Sequence, residues 1–306
     1  MKLSHILPAA LCLTVALNAS AERTERTLKT WDFSKDSISW KQVSVPHDWA
    51  IYGPFDRSQD LQKVAVEQNG ESVATWKTGR TGGLPYVGKG YYKTTFELGK
   101  TDGRSYSLIF DGAMSHARVY VNGKPVAYWP YGYNSFYCSL DGVAREGVNT
   151  VEVSLENLPE SSRWYPGAGL YRNVHLVETD KVHIPVWGTQ LTTPFVSDDY
   201  ATVRLSTDVE GVSKREKVVI RTTVTDPSGR EVAEAEGEYN FYPGVPYTQN
   251  LRVDKPQLWT PETPSLYTAR TDVMRDGKVL DTYSTRFGIR TVEVRAGEGF
   301  FLNGKK

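Results

Sequence analysis

Residues 91–129 read YYKTTFELGKTDGRSYSLIFDGAMSHARVYVNGKPVAYW. Three short alternating runs, at 91–97, 105–111 and 117–122, are divided by turn residues. Asn122-Gly123 then supplies the positive φ angles that a two-residue hairpin needs before a fourth run at 125–129. The pattern predicts successive antiparallel strands, and runs at 148–155 and 174–177 extend it. No long segment shows a 3.6-residue apolar period, so the chain reads as all-β.

A second block starts near His183-Ile184-Pro185, where aromatic residues thin out. It holds longer strand candidates at 201–209 and 217–226, a Pro227-Ser228-Gly229 turn, and a run at 265–274 that passes through Asp276-Gly277 into 278–285. About 100 residues with roughly seven short strands is the size of an immunoglobulin-like sandwich. The length of 306 residues agrees with about two domains. Six of the eight tryptophans precede residue 183, so the first block carries the aromatic surface and the second reads as a spacer. Residues 291–306 belong to neither block.

Met1 and Lys2 precede an apolar stretch from Ile6 to Leu17 and a small-residue site at Ala19-Ser20-Ala21. That is the form of a signal peptide over residues 1–21, and it predicts an exported protein, periplasmic or secreted. The stretch is too short to span a bilayer, and Leu11 before Cys12 disfavours a lipoprotein anchor. Removal of the signal leaves Cys138 as the one cysteine, without a disulfide partner. There is no Cys/His cluster at metal-ligand spacing and no cofactor motif, so neither a metal nor a cofactor is expected. Lys plus Arg and Asp plus Glu both number 36, and this balance supplies no field to draw nucleic acid or an anionic membrane.

Five motifs stand in order along the chain: Val45-Pro46-His47-Asp48-Trp49, Gly90-Tyr91-Tyr92, Val121-Asn122-Gly123-Lys124, the run from Ser162 through Arg163-Trp164-Tyr165-Pro166-Gly167 to Arg172, and Phe287-Gly288-Ile289-Arg290. Together they make the chain resemble the N-terminal part of glycoside hydrolase family 2, in the form found in secreted bacterial β-galactosidases. The resemblance implies a jelly-roll sugar-binding domain over residues 22–182 and an immunoglobulin-like β-sandwich over 183–290. It also implies that residues 291–306 open a (β/α)8 barrel whose two catalytic glutamates lie outside this sequence. No catalytic residue is therefore assigned, and no carboxylate pair or nucleophile-elbow context argues otherwise.

In this family the loop before Ala168-Gly169 reaches into the barrel's active site with an aspartate six positions ahead of that glycine. Arg163 holds the place here, and its rigid fork of donors suits sugar hydroxyls as well as it suits a local acid. Asp48 is a second substrate-binding candidate, against a role capping its own turn. Trp164 is a third, as a sugar-stacking ring, and Trp49 is weighed with it against burial in a sandwich core. Beyond the signal peptide, the histidines at 47, 116, 175 and 183 show no spacing that brings two to one site.

The leading expectation is the non-catalytic N-terminal portion of an exported retaining exo-glycosidase for terminal β-galactosides. Its partners would be a β-galactoside or related glycan and the catalytic barrel of the same polypeptide. The alternative is a stand-alone carbohydrate-binding or adhesion module. A third is a scaffold for homo-oligomer contacts, which the family often makes through these domains.

Overall fold

The computed structural model describes residues 23–53, 58, 61–77, 86–158, 167–214, 216–240 and 242–306. The first twelve strands are β1 (Thr24–Thr27), β2 (Thr30–Ser34), β3 (Lys41–Ser44), β4 (Gln62–Val64), β5 (Thr75–Lys77), β6 (Lys89–Leu98), β7 (Arg104–Phe110), β8 (Ala117–Val121), β9 (Lys124–Trp129), β10 (Phe136–Ser139), β11 (Gly147–Glu156) and β12 (Val174–Asp180). They build a four-stranded sheet, β1-β12-β7-β10, facing a six-stranded sheet, β3-β2-β6-β11-β8-β9, with β4–β5 as a separate hairpin. Every pairing is antiparallel. Apolar side chains from the inner faces, among them Trp31, Phe33, Leu108, Phe110, Val119 and Leu155, close one continuous core.

The Asn122-Gly123 turn forms as its sequence predicts, with φ of 51° and 76°. Asn122 does more than turn the chain: its Nδ2 donates to Val143 and to Asn149 Oδ1, and its Oδ1 accepts from Thr150 N at 3.0 Å. One side chain thus ties the β8–β9 hairpin to β11.

The second sandwich packs β13 (Thr189–Val196), β14 (Tyr200–Thr207) and β17 (Tyr247–Asp254) against a sheet of β16 (Glu231–Asn240), β15 (Lys217–Thr225), β18 (Tyr267–Arg275) and β19 (Lys278–Phe287). Seven strands in two antiparallel sheets give the immunoglobulin-like sandwich that the spacing predicts. Asp276-Gly277 makes its hairpin with φ of 51° and 76°. The core here is two apolar clusters, one around Val203, Leu251 and Ile289, the other around Ile184, Ile220 and Val273. Buried Thr222, Thr271 and Gln249 lie in the same sandwich and bond to one another, with Thr222 Oγ1 2.8 Å from Gln249 Oε1 and 3.2 Å from Thr271 Oγ1. Residues after the sandwich form one more hairpin, β20 (Val292–Arg295) with β21 (Gly299–Leu302).

The two sandwiches meet at a buried ion pair. Arg23 Nη2 lies 2.8 Å from Asp281 Oδ2 and its Nε 3.1 Å from Oδ1. The same carboxylate accepts from Ile184 N at 2.8 Å, and Arg23 also donates to the Ile184 carbonyl. Asp281 is fully enclosed, so it depends on these donors for the solvation it has lost.

Candidate functional site

The His47-Asp48-Trp49 motif runs directly into a short 3-10 helix, Trp49–Tyr52, and Asp48 caps it by accepting from Ala50 N at 3.0 Å. The cap uses the local backbone bonding that favours Asp in such turns. Trp49 is buried, its ring stacked on Phe33 with centroids 5.7 Å apart and an angle of 17°. That ring face is occupied by the core, so Trp49 is a platform rather than a sugar-stacking surface. Tyr52, at the far end of the same turn, is 69% exposed and lies parallel to His47 at 5.8 Å.

Across the motif runs the end of the 161–169 loop. His47 N donates to Leu170 O at 2.8 Å, while Gly169 exchanges two backbone bonds with Met114 at 3.0 and 3.1 Å. Gly169 has φ of +86°, and a Cβ there would fall on the Tyr92 hydroxyl and within 2.6 Å of the His47 carbonyl oxygen. Both the backbone conformation and the close approach require glycine. Gly90 is bound by the same packing, since a Cβ on it would run into the Trp49 ring. At the loop's other end Asn157 Nδ2 donates to Gly167 O at 3.1 Å. The buried Asn157 Oδ1 accepts from no described residue.

Beneath the seat, His47 Nδ1 is 2.7 Å from the Tyr92 hydroxyl. Burial, followed by the charges of Lys41 and Lys35, pushes the imidazole down to about 4, so it is neutral at ordinary pH. Phe33, His47, Trp49 and Tyr92 form one aromatic floor. The floor aligns two chain segments that are more than 100 residues apart in sequence.

Arg163 and Trp164 lie outside the described residues, as does the start of the chain through residue 22. The structure brings Asp48 to the base of the loop that carries them. Sequence reasoning missed the His47–Tyr92 contact, although Pro46-His47-Asp48-Trp49 and Gly90-Tyr91-Tyr92 each mark one half of it. It also missed Tyr52, whose exposure only the turn geometry reveals.

The described carboxyl groups displaced from their ordinary values, Asp36, Glu71, Glu216, Asp226 and Glu293, all go downward through hydrogen bonds and cationic neighbours. None of these is held protonated as a general acid would be. Burial pushes the Cys138 thiol up to about 12, which keeps it un-ionised and inert as a nucleophile. Among the described residues no group of three or more His, Cys, Asp and Glu is placed to hold a metal ion. No helix among them is long and apolar enough to cross a membrane.

Two antiparallel sandwiches in this order, with Gly169 seated against a Pro-His-Asp-Trp turn, have the architecture of the β-sandwich domains of a solved glycoside hydrolase. Residues 182–290 match Glycosyl hydrolases family 2, which places the second sandwich in that family. The chain is 37% identical over 273 residues to the β-galactosidase BoGH2A of Bacteroides ovatus, an alignment that covers 87% of this chain and 30% of that protein. It is 26% identical to a β-glucuronidase of Formosa agariphila, over 90% of this chain and 29% of that one. A solved family 2 member from Bacteroides cellulosilyticus superposes with a TM-score of 0.79 at 29% identity, over 92% of this chain and 37% of its own. The chain thus spans about a third of the length of these relatives.

Proposed function

We propose that the chain is the non-catalytic N-terminal portion of an exported retaining exo-glycosidase that removes terminal β-linked galactose. The similarity to a β-galactosidase along nearly the whole of this chain carries the reading. Domain limits of 22–182 and 183–290 go with it, and Met1–Ala21 as a signal peptide supports export. Two carboxyl groups about 5 to 5.5 Å apart perform retaining hydrolysis, and in this reading a catalytic barrel of the same polypeptide supplies them.

The first sandwich completes the pocket from outside. The aromatic floor under Gly169 fixes the point where the chain leaves the 161–169 loop. Arg163 then donates from its planar fork to sugar hydroxyls, and Trp164 offers a ring face. Asp48 fixes the Trp49–Tyr52 turn, where exposed Tyr52 adds a second aromatic surface.

The test is Arg163→Ala in a polypeptide that carries this chain together with its catalytic domain. Loss of a donor to a buried hydroxyl costs about 1 to 3 kcal/mol, so kcat/KM on an aryl β-galactoside should fall about tenfold to a hundredfold. An unchanged kcat/KM would return Arg163 to a purely local role.

A further inference from the structure

Trp187 occupies a position that glycine would fill at lower energy. It follows Pro185 in a turn closed by Gly188 N donating to Pro185 O at 2.9 Å, and its own φ is +58°. A bulky L-residue in the left-handed region is strained, and the third position of such a turn favours glycine or asparagine. The core gives no compensation, because the side chain is 52% exposed. Its indole is perpendicular to the Tyr137 ring, centroids 5.5 Å apart at 85°, and its backbone N donates to the Tyr283 hydroxyl at 3.2 Å. Strain held in place around an exposed ring points to a use for that ring.

Trp187 walls a hollow of about 230 Å³ between the two sandwiches. Arg23, Glu25, Asp111, Ser135, His175 and Tyr283 supply its polar lining, beside apolar Ile109 and Val186. His175 is bracketed by carboxylates, Nδ1 3.0 Å from Glu25 Oε1 and Nε2 3.0 Å from Asp111 Oδ2. Three N–H donors of Arg23 go to Asp281 and Ile184, and Ser135 Oγ donates to Asp111 O at 3.0 Å. An anion entering here would meet Glu25 and Asp111, and a cation would meet Arg23. A hydroxyl both donates and accepts, which suits carboxylate oxygens with lone pairs to spare beside a guanidinium. The hollow is below the roughly 300 to 1,000 Å³ of pockets for drug-sized ligands, which limits it to a single ring.

We propose that this junction is an accessory site for one neutral pyranose unit, with its apolar face on Trp187 and its hydroxyls on Glu25, Asp111 and Arg23. It shares no residue with the Asp48 turn and needs no catalytic domain. It therefore stands or falls independently of the function proposed above.

The probes are methyl β-galactoside, methyl β-glucoside and glucuronate. They are titrated into the ¹⁵N-labelled chain while the Trp187 indole signal, identified by its loss in Trp187→Gly, is followed. At least one methyl glycoside should shift that signal with a millimolar Kd, and glucuronate should bind more weakly. Trp187→Gly, followed by calorimetry, should weaken binding about tenfold while Tm holds or rises, since glycine relieves the turn. Asp111→Asn is the second variant and should weaken binding without altering the turn. Hydrolysis by the polypeptide that includes the catalytic domain should be unchanged in Trp187→Gly. No shift with either methyl glycoside, glucuronate binding as tightly as they do, or a lowered Tm with intact affinity would each overturn the proposal.

Discussion

The two sandwiches solve the same packing problem with different materials. The first fills one continuous core with large rings, Trp31, Trp49, Tyr92, Phe33 and Phe110, all almost fully enclosed. The second has two smaller clusters, mostly aliphatic but including the rings of Tyr267, Phe287 and Tyr239, and a buried hydrogen-bonded set of Thr222, Thr271 and Gln249. Large rings bring contact area that can hold an irregular loop in place, and the first sandwich uses it beneath Gly169 and the Asp48 turn. The second joins its long strands through hairpin turns such as Asp276-Gly277. The recognition proposed for the Asp48 turn therefore rests on the first sandwich.

If this contrast holds, the two units respond to different substitutions. Trp49→Ala should remove about 3 to 5 kcal/mol from the first sandwich alone, lowering one thermal transition and sparing the other. A calorimetric scan in which both transitions fell together would show a single cooperative unit.

Acid should act on the first sandwich before the second. His47 has its folded value depressed from 6.5 to about 4, so its contribution is complete above pH 6.5 and is lost as pH falls from there to about 4. The loss amounts to about 3 kcal/mol at most. In the second sandwich Glu216 and Asp226 are depressed from 4.5 and 3.8, which places their loss below about pH 4.5. Thermal melts between pH 7 and pH 5 should thus lower the first transition while the second stays level. The reverse order would break the comparison.

Gln249→Ala attacks the polar set instead. It removes the Gln249 acceptor from Thr222 Oγ1, leaving that hydroxyl with Thr271 alone among the described residues, and the Nε2 donor from the Ile220 and Ala235 carbonyls, at a cost of about 1 to 3 kcal/mol to the second sandwich. Gly123→Ala should be the mildest change. Its Cβ would meet open space, so only the φ of +76° resists it, by about 1 kcal/mol. Urea titration resolved by sandwich would measure both.

The strands of 91–129 were legible because alternation and Asn-Gly both report local geometry, and β6 to β9 begin and end within two residues of that reading. β16 was not, since EVAEAEGEYN offers only small or charged residues along most of a strand that pairs on one side alone. β1 is four residues of Thr, Glu and Arg, held by pairing with β12 rather than by its own pattern. The site was half legible. Its motifs are contiguous, but the floor joining His47 to Tyr92 is a tertiary contact, and no spacing rule reports it. The Arg23, Asp111 and His175 junction was invisible for the same reason, because each residue comes from a different part of the chain.

The central claim is that this chain recognises a glycan and leaves the chemistry to another part of its polypeptide. The direct measurement is turnover of aryl β-galactoside, β-glucuronide and β-mannoside by a homogeneous sample of this chain, beside a polypeptide that carries it with its catalytic domain. The account predicts no release above the buffer blank from the chain alone and hydrolysis of the β-galactoside by the longer polypeptide. Sustained release by the chain alone, in proportion to its concentration, would contradict it.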